Sequence, residues 1–132
     1  MTTTALTRLA ALLLLLEAVA LAVITGWEVL ALLGGGGDPR NSVALIVLTG
    51  LGVAGLAAFA VAVARGQSWG RSGGIVAQLL ILAVTLGALT GPAPSLPFAL
   101  ATGLPAAVTL AVLILVSRRV GRGREAEMPD ED

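Results

Sequence analysis

The apolar positions of this chain neither alternate nor recur once per helical turn; they run on in blocks. Four such blocks, about residues 5–33, 43–64, 71–90 and 97–117, are separated by short stretches of Gly, Pro, Ser and Arg. Each block is about as long as the ~20 residues a helix needs to cross a hydrocarbon core, and a surface that is apolar all round suits lipid. The pattern predicts an all-α integral membrane four-helix bundle, with residues 1–117 forming one transmembrane domain. At ~1.5 Å per residue the first helix would be some 40 Å long against ~30 Å of hydrocarbon, so it should tilt or protrude.

The breaks carry their own chemistry. Gly34 to Gly37 with Asp38, Pro39 and Arg40 should end the first helix, and Asn41 or Ser42 reads as the N-cap of the second. Arg65 to Gly73 links the second span to the third, whose apolar part begins at Gly74 and which should enter the bilayer about a turn earlier. Gly91 to Pro97 holds no charge, and Ser95 followed by Pro97 suits a helix start. Pro105 should kink the fourth helix unless neighbours satisfy the freed carbonyl. Beyond Ser117, four arginines and then an acidic run make residues 118–132 an expected disordered tail, with Asp130, Glu131 and Asp132 simply solvated.

Composition agrees with the pattern: 57% of residues are hydrophobic, 12% are charged and the mean hydropathy is +0.98. Soluble domains carry roughly twice that charge. Basic and acidic residues balance at eight each, so no basic footprint for nucleic acid exists. With no His, no Cys and no Lys, the chain lacks imidazole and thiol chemistry, disulfides and the usual zinc ligands. No cofactor or metal centre is expected, and no enzyme: the serines have no base beside them, and Gly34 to Gly37 lacks the Lys-Ser/Thr ending of a phosphate loop. The first apolar block is too long for the ~7–15-residue core of a cleaved signal.

Arginine placement predicts orientation. Arg8, Arg65, Arg71, Arg118, Arg119, Arg122 and Arg124 fall on one side of the four spans and only Arg40 on the other. The positive-inside rule then puts both termini of a multi-pass membrane protein in the cytoplasm.

Two carboxylates interrupt the first block, and a charged group near mid-bilayer costs ~2.5–3.5 kcal/mol on insertion scales. Glu17 lies nine residues past Arg8, about 13 Å up the helix and near the centre of the core. Glu28, eleven residues further, returns to within about 20° of the same direction. That face should therefore point into the bundle, with Glu28 near the far interface beside Trp27 and solvated. Gln78 lies nine residues beyond the interfacial Trp69, at the depth of Glu17, and Thr85 follows seven later on the same face. A Glu17–Gln78 hydrogen bond between the first and third helices is expected, setting register more than stability, since such bonds average ~0.6 kcal/mol in membranes. Arg71, a heptad before Gln78, could reach Glu17, but an Arg at a helix end should snorkel outward.

Small residues supply the remaining signal. Gly50, Gly52, Ala54, Gly55, Ala58 and Ala62 make the second a small-residue helix, and Ala99, Gly103, Ala107 and Ala111 on the fourth recur every four residues. Such faces let helices approach closely, and one is expected to pack the bundle while the other is left for a protein partner or a second copy. The turn Arg65, Trp69, Arg71 leading to Gln78, Leu79 and Leu80 resembles that of the uncharacterised small four-span integral membrane proteins of high-GC Gram-positive bacteria. That resemblance implies the topology and a place in the bacterial inner membrane, and no particular activity. The chain resembles small multidrug transporters only in placing a Glu in its first helix, for its only aromatics are Trp27, Phe59, Trp69 and Phe98. The expected function is an interaction or accessory subunit of a membrane complex; the alternative is a proton-coupled small-molecule transporter using Glu17.

Overall fold

The computed structural model describes residues 2–129, and Asp130, Glu131 and Asp132 of the acidic end lie outside the described residues. Four helices follow one another, α1 Thr3–Leu33, α2 Pro39–Ala64, α3 Ser68–Thr90 and α4 Leu96–Glu127, and no strand occurs among the described residues. All four are long and apolar enough to span a membrane. The protein is an all-α four-helix bundle of membrane type.

Helix ends explain where the elements differ from the apolar blocks. Asp38, not Asn41 or Ser42, caps α2: its carboxylate accepts from the Arg40 N–H at 3.2 Å, and Pro39 takes the first helical position, where its missing N–H costs nothing. Ser95 caps α4 by accepting from the Phe98 N–H at 3.4 Å. The C-termini of α1 and α2 close in the same way. Gly35 (φ +80°) and Gly66 (φ +73°) take the left-handed position, and the next N–H, of Gly36 or Gln67, reaches back to Ala31 or Ala62. Helix α4 runs on through Pro105 and does not stop near Ser117. It continues to Glu127, so the segment expected to be disordered is helical that far. Arg, Glu and Ala favour helix and carry it past Gly121 and Gly123, and Pro129 bars its extension.

The helices form a ring in chain order. α1 packs most extensively on α2 and α3 on α4, while α2 against α3 and α1 against α4 close the square. α1 and α3 thus face each other across a diagonal. At the α2–α3 crossing a Cβ on Gly70 would come within 2.8 Å of the Val63 nitrogen, so only glycine allows that approach. Phe59 and Trp69 meet edge to face beside it, 6.0 Å between ring centres.

The core is one-sided. Leu6, Ala10, Leu14 and Ala18 of α1, Leu56, Ala60 and Val63 of α2, and Val112, Leu113 and Val116 of α4 form it. All lie in the half that holds the termini and the α2–α3 turn. Toward the other half, which carries the α1–α2 and α3–α4 loops, no residue of 19–33 or 39–55 is buried.

The two rows of small residues do not each stay on one face. Ala99 is buried and Ala107 and Ala111 are exposed; on α2 Ala62 is buried and Ala54 and Ala58 are exposed. Four residues turn a helix by ~400°, so such a row drifts ~40° per step and leaves the interface after two or three.

Candidate functional site

At the centre of the bundle three helices each supply one polar side chain. Gln78 Nε2 donates to Glu17 Oε2 at 2.5 Å, and Thr109 Oγ1 donates to Glu17 Oε1 at 2.6 Å. The Gln78 bond crosses the diagonal from α3 to α1, and Thr109 adds α4. The polar cluster is therefore a cross-brace on the three helices that α2 does not provide. Gln78 and Thr109 are buried and Glu17 is half-buried. Gln78 Oε1 is itself buried and has no hydrogen-bond partner.

Depth explains the meeting. Glu17 is nine residues from Arg8, Gln78 nine from Trp69 and Thr109 nine from Arg118, so equal rise brings all three to one level. Sequence reasoning passed over Thr109. Counting back from Arg118 would have found it.

A second tier lies one heptad toward the loop end, about 10 Å away along the helix axes. Thr85 Oγ1 and Thr102 Oγ1 approach to 3.0 Å, and each also lies 2.8 Å from a carbonyl of its own helix, Ile81 or Phe98, so one hydroxyl donates across while the other donates to its backbone. Gly103 makes room for this pair, since a Cβ there would meet Thr85 Cγ2 at 3.0 Å.

The two remaining candidates depart from expectation. Glu28 was expected in water beside Trp27. Instead it is half-buried, its Oε2 enclosed without a partner, while Trp27 alone stays exposed. The α1 face that turns Glu17 inward carries Glu28 inward too, three turns later. Arg71 neither reaches Glu17 nor snorkels out; it is 8% exposed, and its Nη1 donates to the Gly66 carbonyl at 3.2 Å. The α2–α3 turn offers that carbonyl close by, so the guanidinium folds back and staples the turn.

No cluster of three or more His, Cys, Asp or Glu that could hold a metal ion occurs among the described residues. What the site can do follows from its atoms: two carboxyl oxygens, an amide and a hydroxyl can exchange protons and hydrogen bonds, and can offer oxygen ligands. A search against protein-family models, curated proteins and solved structures found no match to the chain.

Proposed function

We propose that this protein is an interaction or accessory subunit of a membrane complex, seated in the bacterial inner membrane with both termini in the cytoplasm. The arginine distribution supports the orientation, as the positive-inside rule counts it. The outer side of α2 supports the role. Val47, Leu51, Ala54, Ala58 and Val61 are exposed in one row. Their spacings of four and three hold them within one face.

Shallow apolar grooves flank this ridge. One, of about 360 Å³, lies between α1 and α2 beside Ala11, Leu15 and Ala60; the other, of about 340 Å³, lies between α2 and α3 beside Phe59, Gly73 and Ala77. A ridge with Ala54 and Ala58 at its centre, between two grooves, suits the close approach of a further helix, the contact that drives association in lipid. A photo-crosslinking residue at Ala58, compared with one at the exposed Val84 of α3 in the native membrane, tests the reading. A discrete protein adduct from position 58 alone is expected; identical lipid labelling from both positions would end it.

A second reading, a proton-coupled small-molecule transporter using Glu17, is favoured by the unpartnered Gln78 Oε1 beside a membrane-embedded acid. Equal flux by wild type and Glu17→Gln in liposomes would remove it.

A further inference from the structure

Among the described residues two buried side-chain oxygens have no partner, Glu28 Oε2 and Gln78 Oε1. Only Gln78 belongs to a residue with 0% exposure. Its other amide atom holds Glu17, and both atoms hang on one carbon, so the unfilled acceptor lies within the same polar cluster. Turning the amide over does not help. Oε1 would then face Glu17, and Nε2 would take the place where no acceptor stands.

The cluster is also short of positive charge. As a carboxylate Glu17 brings one negative charge to mid-membrane, and its two partners are neutral donors. On α3 the nearest cation in sequence, Arg71, is bound to the Gly66 carbonyl. On α2 the residue at the same count of nine from its Arg65 is Leu56, buried and apolar. On α4 the level is held by Thr109, and on α1 the next acid, Glu28, is eleven residues away. An unfilled acceptor and an unbalanced charge at one place call for one cation, and the available ligands are all hard oxygens: the Glu17 carboxylate, Gln78 Oε1 and Thr109 Oγ1. A single negative charge matches a single positive one.

We propose that Glu17, Gln78 and Thr109 form a binding site for one sodium ion, entered from the loop end of the bundle. The direction follows from packing. Toward the termini Leu14, Val63, Leu113 and Val116 have no exposure, and a Cβ on Gly74 would meet Leu113 at 3.0 Å and Leu14 at 3.5 Å. Toward the loops only the small side chain of buried Ala106 precedes the Thr85 and Thr102 hydroxyls, and the half-buried Glu28 lies beyond, in the half where α1 and α2 bury nothing. The site goes beyond the interaction reading, and binding there does not require transport.

The test uses the full chain in lipid nanodiscs. Thermal unfolding is followed in sodium chloride against choline chloride at mildly alkaline pH. Each tenfold rise in sodium concentration above the dissociation constant is expected to lift the midpoint by a few degrees. The response must vanish in Glu17→Gln. A wild type whose midpoint is the same in sodium and in choline, or a response that persists in Glu17→Gln, overturns the site. Should Glu17→Gln fail to fold, Thr109→Ser must keep the response and Thr109→Val must weaken it; equal responses from the two overturn the site as well.

Discussion

The two halves of this bundle are built on different terms. In the half that holds the termini, leucines, valines and alanines of α1, α2 and α4 close around Leu14 and Leu113, and α2 and α3 cross as tightly as glycine permits. In the half that holds the loops α1 and α2 bury no residue, and α3 and α4 bury only Thr85, Ala99 and Ala106, where the Thr85 and Thr102 hydroxyls meet. Glu17, Gln78 and Thr109 mark the boundary. Since lipid is as apolar as leucine, an apolar half gains from packing alone, whereas a polar contact gains because hydrocarbon offers no substitute. Register at the boundary is thus set by three hydrogen-bonding groups, and rigidity below it by shape.

The contrast can be broken at four points. The largest effect is expected from Leu14→Ala, which opens a cavity in the closed half and should cost about 2–5 kcal/mol, whereas Leu30→Ala in the open half should stay within ~0.5 kcal/mol. Reversible unfolding in mixed micelles measures both, and equal costs would erase the distinction between the halves. Gly70→Ala comes next, at about 1–3 kcal/mol, because its methyl would press on the backbone at Val63 and force α2 and α3 apart. A cysteine pair across that crossing should then crosslink more slowly.

At the boundary the Glu17–Gln78 coupling from a double-mutant cycle should fall at ~0.6–1.7 kcal/mol, the range of interhelical bonds in membranes. Zero coupling would mean the brace holds nothing. The smallest change is expected from Thr102→Val, about 0.5 kcal/mol or less, because Thr85 keeps its bond to the Ile81 carbonyl. Amide exchange of α3 beyond Thr85 should quicken, with no change around Gly74.

The four spans and the Glu17–Gln78 meeting were legible because they depend on one constant, the rise of a helix, counted from an interfacial Arg or Trp. Thr109 obeys the same count and was missed for a chemical reason. A helical threonine usually spends its hydroxyl on its own backbone, as Thr25 does on the Leu21 carbonyl and Thr49 on that of Leu45, so it is not a first choice for an interhelical donor. The N-cap of α2 was misplaced because a glycine run hid the Asp38-Pro39 start. Arg71 and Glu28 were illegible in another sense. Their surroundings are set by a turn carbonyl and by neighbouring helices, and no count along one helix contains either.

Helix α4 carries one more implication. It is continuous from Leu96 to Glu127, and its last ten residues, with Arg118, Arg119, Arg122 and Arg124, come after the apolar span ends. Those ten residues form an arm of about 15 Å, and Glu127 lies about 27 Å beyond Thr109, so a tilt of α4 by about 10° around Thr109 would swing its tip by about 5 Å. Thr109 ties the same helix to Glu17 at mid-span. The arm and the tie to the buried acid thus belong to one helix, so a tilt of α4 about Thr109 would displace the four arginines at its end.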